Sequence, residues 1–496
     1  MSCSLTPELE AVAREMRQHA RDFGLDPFEV SFELLDYDEL NMVAAYGGFP
    51  TRYPHWKFGM EFEELQKGYS YGLQKIYELV INNDPCYAYL MKCNHLVDQK
   101  LVMAHVYGHS DFFKSNYWFS LTNRKMMDEI ANHGIRIRRY IERHGQQKVE
   151  DFLDCCLSLD NLIDYHSPFI VRHRKRTEDE KESERDSVQP TRLKAKAYME
   201  TFINPPSYLE TEKQKILERL EAERRFPEEP EKDVLLFLMQ NAPLERWQRD
   251  ILSIVREEAY YFAPQGMTKI MNEGWASYWH SKIMTEKACT ASEIIDYADH
   301  HSGTVATQPG VLNPYKVGLE LFRDIEDRWN RGKFGSEWEE CDDAASKYSW
   351  DRQLGLGRKK IFEVRKIYND VTFIDEFLTP EFVEKHELYT YTYNKQTQEY
   401  VIESRDFKAI KEKLLFSLSN FGQPNIQVDD GNYKNRGELY LVHRYDGIPL
   451  RMDHARDTME NIFKVWQRPV HVETVMEKRK KVMTWNGSKH EEKIIK

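Results

Sequence analysis

The hydrophobic pattern of this chain changes period once, and that change bounds what it can fold into. From residue 4 to about 381, apolar residues recur at helical spacing; from Glu387 onward they alternate. A period of 3.6 calls for helices with a buried face, and a period of 2 calls for strands. In residues 4–23, Leu9, Val12, Met16 and Ala20 fall near one helical face. The same reasoning predicts helices at 62–81, 97–113, 123–144, 149–163, 233–240, 244–262, 269–285, 293–300 and 315–330. A Gly-, Pro- and Tyr-rich loop, GGFPTRYPHW, follows the first helix. RHRKRTEDEKESERDS, from Arg172, opens a charged insertion to about residue 232, punctuated by prolines. It reads as a solvated helix or flexible segment, or as a docking arm.

The C-terminal pattern repeats. ELYTYTY from Glu387 and residues 399–403 read as strands, 407–418 as a helix, and 425–428 as a strand. ELYLVHRY then begins at Glu438, a turn follows at Asp446-Gly447, a helix runs to Trp466, and VHVETV closes the unit. The predicted fold class is therefore α+β. A large, mainly α-helical domain (1–380) precedes a small C-terminal α+β domain (381–496) of two ββαβ repeats, with a binding or scaffold role.

Charge and cysteine content remove several function classes. The net charge of -12 disfavours nucleic-acid binding, which needs cations to meet phosphates. Seven Cys without a CxxC pair fit neither a disulfide framework nor a thiolate zinc knuckle. The N-terminus lacks an apolar signal core and no stretch reaches membrane-span length, so the expected location is cytoplasmic, with no membrane partner.

Two segments carry the chemistry. In His105-Val-Tyr-Gly-His109 the imidazoles lie four apart, on one helical face, where they can share a metal ion. Val106 stands where an H-E-x-x-H protein has its glutamate base. In MNEGWASYWH, Glu273 and His280 are two helical turns apart and also share a face. Its NEG-x-A portion is similar to the segment that supplies the third zinc ligand in gluzincin aminopeptidases, which opens a zincin-like reading of the helical domain. The competing reading is a hydrogen-bonded core of His and Glu without metal.

The expected ligand set is His105, His109, Glu273 and His280, for a divalent metal: Zn²⁺ first, with Fe or Mn as alternatives. Glu258, on an apolar helical face, is the candidate catalytic base, or else a partner for an arginine. His301 is a candidate fourth ligand, or a group that hydrogen-bonds a ligand from behind, and Tyr107 and Tyr278 are candidate oxyanion donors. His133 reads as a core histidine.

Longer blocks carry a family resemblance: YPHWKFGMEFE, INNDPCYAYL, VMAHVYGHSDFFKSNYWF, NAPLERWQRDILSIVREEAYYF, MNEGWASYWHS, NPYKVGLELFRDIEDRW and NDVTFIDEFLTPEF. Together they resemble the stage V sporulation protein R (SpoVR) family over nearly the whole chain. The resemblance implies a cytosolic protein with a role in sporulation, through assembly of the spore cortex, or in stress and stationary-phase physiology. It further implies association with a PrkA-type serine protein kinase and a von Willebrand factor A-type protein. It carries over His109, Glu273 and His280, and leaves His105 to the spacing argument. Two functions follow: a metal-dependent hydrolase of peptide or amide bonds, or a non-enzymatic regulatory scaffold acting through protein partners.

Overall fold

A computed structural model describes residues 3–70, 78–170, 199–222, 226–306, 310–394 and 398–495. The chain forms two compact units, Met1–Leu153 with Glu257–Gln423, and Asp154–Arg256 with Pro424–Lys496. The fold is α+β: helices dominate the first 380 residues, and a five-stranded sheet lies near the C-terminus.

The first unit is built around one helix, Lys269–Ile283, which carries the NEGW segment. It buries Met271, Trp275, Tyr278 and Trp279 around its circumference, as a helix apolar on all sides must. It packs between Leu96–Ser115, which carries HVYGH, and Pro314–Arg331. Two close approaches set this packing. A Cβ on Gly108 would lie 2.7 Å from Ala276 Cα, and one on Gly274 would run into the backbone of Gly318. Only residues without a side chain let the helices come this near.

Buried Asp370 starts the central helix by accepting hydrogen bonds from the N–H groups of Ile270 (2.8 Å) and Met271 (2.9 Å). Both are first-turn donors without a helical partner. Asp111 ties the two motif helices together. Its carboxylate accepts from Trp275 Nε1 at 2.8 Å, from the Asp26 N–H at 2.8 Å, and from the Arg365 guanidinium.

Against this helical body lies a sheet that the periodicity does not predict. Its order is Cys3–Ser4, Val30–Leu35, Cys86–Met91, Glu78–Ile81, and the two central strands are parallel. The helix expected over 62–81 is instead Trp56–Ser70, with residues 78–81 a strand. Cys86–Met91 is buried on both faces, so it shows no alternation in sequence.

The second unit holds the sheet His490–Ile494, Arg479–Trp485, Val470–Met476, Glu438–His443, Ile426–Tyr433. The pairing of Glu438–His443 with Val470–Met476 is parallel and the others are antiparallel. Helix Met452–Trp466 connects the parallel pair, as a crossover requires, and buries Met459, Ile462, Val465 and Trp466. The sheet order does not confirm a ββαβ duplication. Thr390–Asn394 and Glu399–Ser404 form their own two-stranded sheet within the first unit. Of the charged insertion, residues 171–198 lie outside the described residues; Pro206–Ala222 is helical.

Candidate functional site

Helical spacing brings the two motifs together in the first unit. His105 and His109 sit one turn apart with ring centroids 4.5 Å from each other. Both present Nε2 to the Glu273 carboxylate, each 3.5 Å from Oε2. One ligand atom from each of these three residues falls within 4.8 Å of the others, a span that a single metal ion could bridge. Glu273 Oε2 has no hydrogen-bond partner among the described residues, although it is buried. A buried carboxylate oxygen that accepts no hydrogen bond is costly. Coordination of a cation between it and the two imidazoles would remove that cost.

The far side of each ring is already engaged. Asn272 Oδ1 accepts from His109 Nδ1 at 2.9 Å, which leaves the Nε2 lone pair turned toward Glu273. His105 Nδ1 lies 2.8 Å from His280 Nδ1, and His280 Nε2 lies 3.1 Å from His301 Nδ1. With the His105 Nε2 lone pair facing Glu273, one proton arrangement satisfies this row. His105 donates to His280, and His280 donates to His301. Such outer hydrogen bonds fix the tautomer and orientation of ligating histidines.

Burial, followed by the neighbouring His109, pulls His105 down to about 4. Burial and the neighbouring imidazoles hold His280 well below its usual value, and burial lowers His301. Burial pushes Glu273 upward, but His109 and His105 outweigh it and hold the carboxyl below its usual range. At neutral pH the cluster therefore offers an anionic carboxylate and neutral His105, the forms that bind metal.

The sequence candidates separate into three groups. His105, His109 and Glu273 converge. His280 and His301 line up behind His105 rather than completing the triangle, and Tyr297 stacks on His301 at 5.5 Å. Tyr107, Tyr278 and Glu258 are engaged elsewhere. Tyr107 donates to the Ala13 carbonyl and Tyr278 to Glu326. Two positions along from His105 is the opposite side of a helix, so Tyr107 could not share its face. Glu258 pairs with Arg52 at 2.9 Å and with His133 Nδ1 at 3.0 Å.

The sequence reading missed three supports of this cluster. Asn272 sits inside the NEGW segment, beside its glutamate. Tyr315 lies nearly parallel to the His105 ring at 6.3 Å. Asp370 carries no local signal beyond its place in the NDVTFIDEF block. No helix among the described residues is long and apolar enough to cross a membrane.

Comparison with known proteins agrees with the motifs. The chain is 31% identical to the uncharacterized protein YcgB of Escherichia coli (strain K12), over 94% of this chain and 91% of that protein. No solved structure matches it. The family model described as SpoVR-like protein matches residues 4–423, and that of the SpoVR-like C-terminal domain matches residues 424–477. With its motif blocks covered from end to end by these two models, the chain belongs to the SpoVR family.

Proposed function

We propose that the protein binds one divalent metal ion through His105 Nε2, His109 Nε2 and the Glu273 carboxylate, and uses it to hydrolyse a peptide or amide bond. The buried Glu273 Oε2, which accepts no hydrogen bond among the described residues and lies 3.5 Å from two imidazole nitrogens, carries this reading. Two imidazoles and one carboxylate form the donor set of catalytic zinc sites with an open position; Fe(II) and Mn(II) also accept it. When bound, Zn²⁺ supplies Lewis acidity, lowering the pKa of a water toward about 7 and polarising a carbonyl.

The chain's own residues do the positioning. Asn272 and His280 hold the protons of the His109 and His105 rings away from the ligand side. Glu273 contributes one negative charge against the two of the cation. In the setting its family name suggests, such a hydrolase would act in sporulation or stationary-phase physiology in the cytoplasm.

One observation favours a second reading, a regulatory scaffold. Glu258, the candidate base, is held by Arg52 and His133. On that reading the metal is structural, and the protein works through partners such as a PrkA-type serine kinase and a von Willebrand factor A-type protein.

Metal analysis of untagged protein tests the site. Wild type is expected to hold one equivalent that both His109→Ala and Glu273→Ala lose while remaining folded. A wild type that takes up no metal at this cluster after reconstitution would sink the proposal. Metal uptake without cleavage in a peptide and amide screen would leave the scaffold reading standing.

A further inference from the structure

A second group of His and Glu side chains lies apart from the first. Glu129 and His133 are four apart on the helix Met126–His144, so they share a face. Glu257 comes from the helix Arg246–Met267. One ligand atom from each falls within 4.8 Å of the others. We infer that Glu129, His133 and Glu257 form a second site for a divalent first-row cation such as Mn²⁺ or Zn²⁺.

The histidine distinguishes this group from an ordinary acidic patch. His133 is 0% exposed, and its Nε2 has no hydrogen-bond partner among the described residues. The nearest carboxylate oxygen, Glu257 Oε2, is 3.5 Å away. On the other side of the ring, Nδ1 donates to Glu258 Oε1 at 3.0 Å. Nε2 is thereby turned toward Glu129 and Glu257.

A carboxylate behind a histidine, opposite the ligating nitrogen, is the arrangement that orients metal-binding imidazoles and raises their basicity. Glu258 is in turn neutralised by Arg52 at 2.9 Å. Among the described residues no Lys or Arg pairs with Glu129 or Glu257, and the two carboxylates match the charge of a divalent ion. The Glu257 side chain is 44% exposed, which opens one side of the site to water and to exchange of the ion. One imidazole and two carboxylates, completed by water, suit Mn²⁺ and Zn²⁺ better than a soft cation.

This inference is independent of the His105 cluster, and its test separates the two. Full-length protein is stripped with a chelator, reloaded with Mn²⁺ or Zn²⁺ alone, and analysed for bound metal by mass spectrometry and equilibrium titration. Glu129→Gln and Glu257→Gln alter side chains that are not fully buried. Each should weaken one site at least about 10-fold, the smaller loss seen when even an outer partner is removed. Circular dichroism should not change. Glu273→Gln should retain this site. Wild-type stoichiometry and affinity in both glutamine variants would overturn the assignment, as would a Glu273→Gln protein that takes up neither ion.

Discussion

The two His–Glu clusters of the first unit use the same helical spacing and support it by opposite means. At His105 and His109, the ring protons meet neutral acceptors, an imidazole and an amide. At His133, the ring proton meets a carboxylate that a buried arginine neutralises. A neutral acceptor orients a ligand without adding charge, whereas a carboxylate also strengthens it as a base. The first cluster has two imidazoles and one carboxylate; the second has one imidazole and two carboxylates. The number of carboxylates rises where the support is ionic, so the two sites should rank the same metals differently.

Breaking the ionic support should have the largest effect. Arg52→Met leaves Glu258 buried without its cation, and loss of one partner from a buried pair costs about 3–5 kcal/mol. Urea denaturation of the metal-free protein measures it. A loss under about 1 kcal/mol would mean that Glu258 is solvated and the contrast between the clusters is false.

The next effect concerns pH at the start of the Lys269–Ile283 helix. Burial lifts Asp370 to about 7, against the pull of its two backbone N–H donors. Its folded pKa is above the unfolded value, so the folded state holds a proton that the unfolded chain has released. The stability this contributes is complete below about pH 4 and is lost as pH rises through about 7. Asp370→Asn should flatten that decline by about 4 kcal/mol across the window. Parallel curves for the variant and wild type would show that the carboxylate titrates normally.

Asn272→Ala should follow in size. It removes the acceptor of the His109 ring proton, and Zn²⁺ affinity at the first cluster should fall about 10–100-fold in chelator competition. The His133 site should not change. Equal affinity in variant and wild type would deny the amide its orienting role. The smallest effect is expected from His301→Ala, at the outer end of the imidazole row. Its loss should weaken the first cluster less than about 10-fold, and a larger drop would place His301 among the ligands.

These contrasts show what a linear sequence discloses. His105 with His109, and the NEG segment, were legible because helical period and ligand chemistry coincide within ten residues. The distinction between Glu273, which converges on the histidines, and His280, which stands behind one, was not. Both share a face of one helix, and only the position of the neighbouring helix separates them. Glu258 looked like a base because it lies on an apolar face; its partner Arg52 comes from a distant loop. The N-terminal sheet escaped because Cys86–Met91 is buried on both sides and offers no alternation. The C-terminal strands up to Val470–Met476 were legible, whereas Arg479–Trp485 and His490–Ile494 were not, and the strand pattern does not say which strands share a sheet.

The contact of Gly108 with Ala276 separates two properties of the first cluster. The distance between the helices that bear its ligands is set by main chain against main chain, not by the ligands themselves. A substitution at 105, 109 or 273 can therefore exchange the donor atom while the frame that presents it keeps its dimensions. A Cβ added at 108 does the reverse, keeping every donor and moving them all. The chemical identity of this site and its geometry are thus encoded at different positions and can change one at a time.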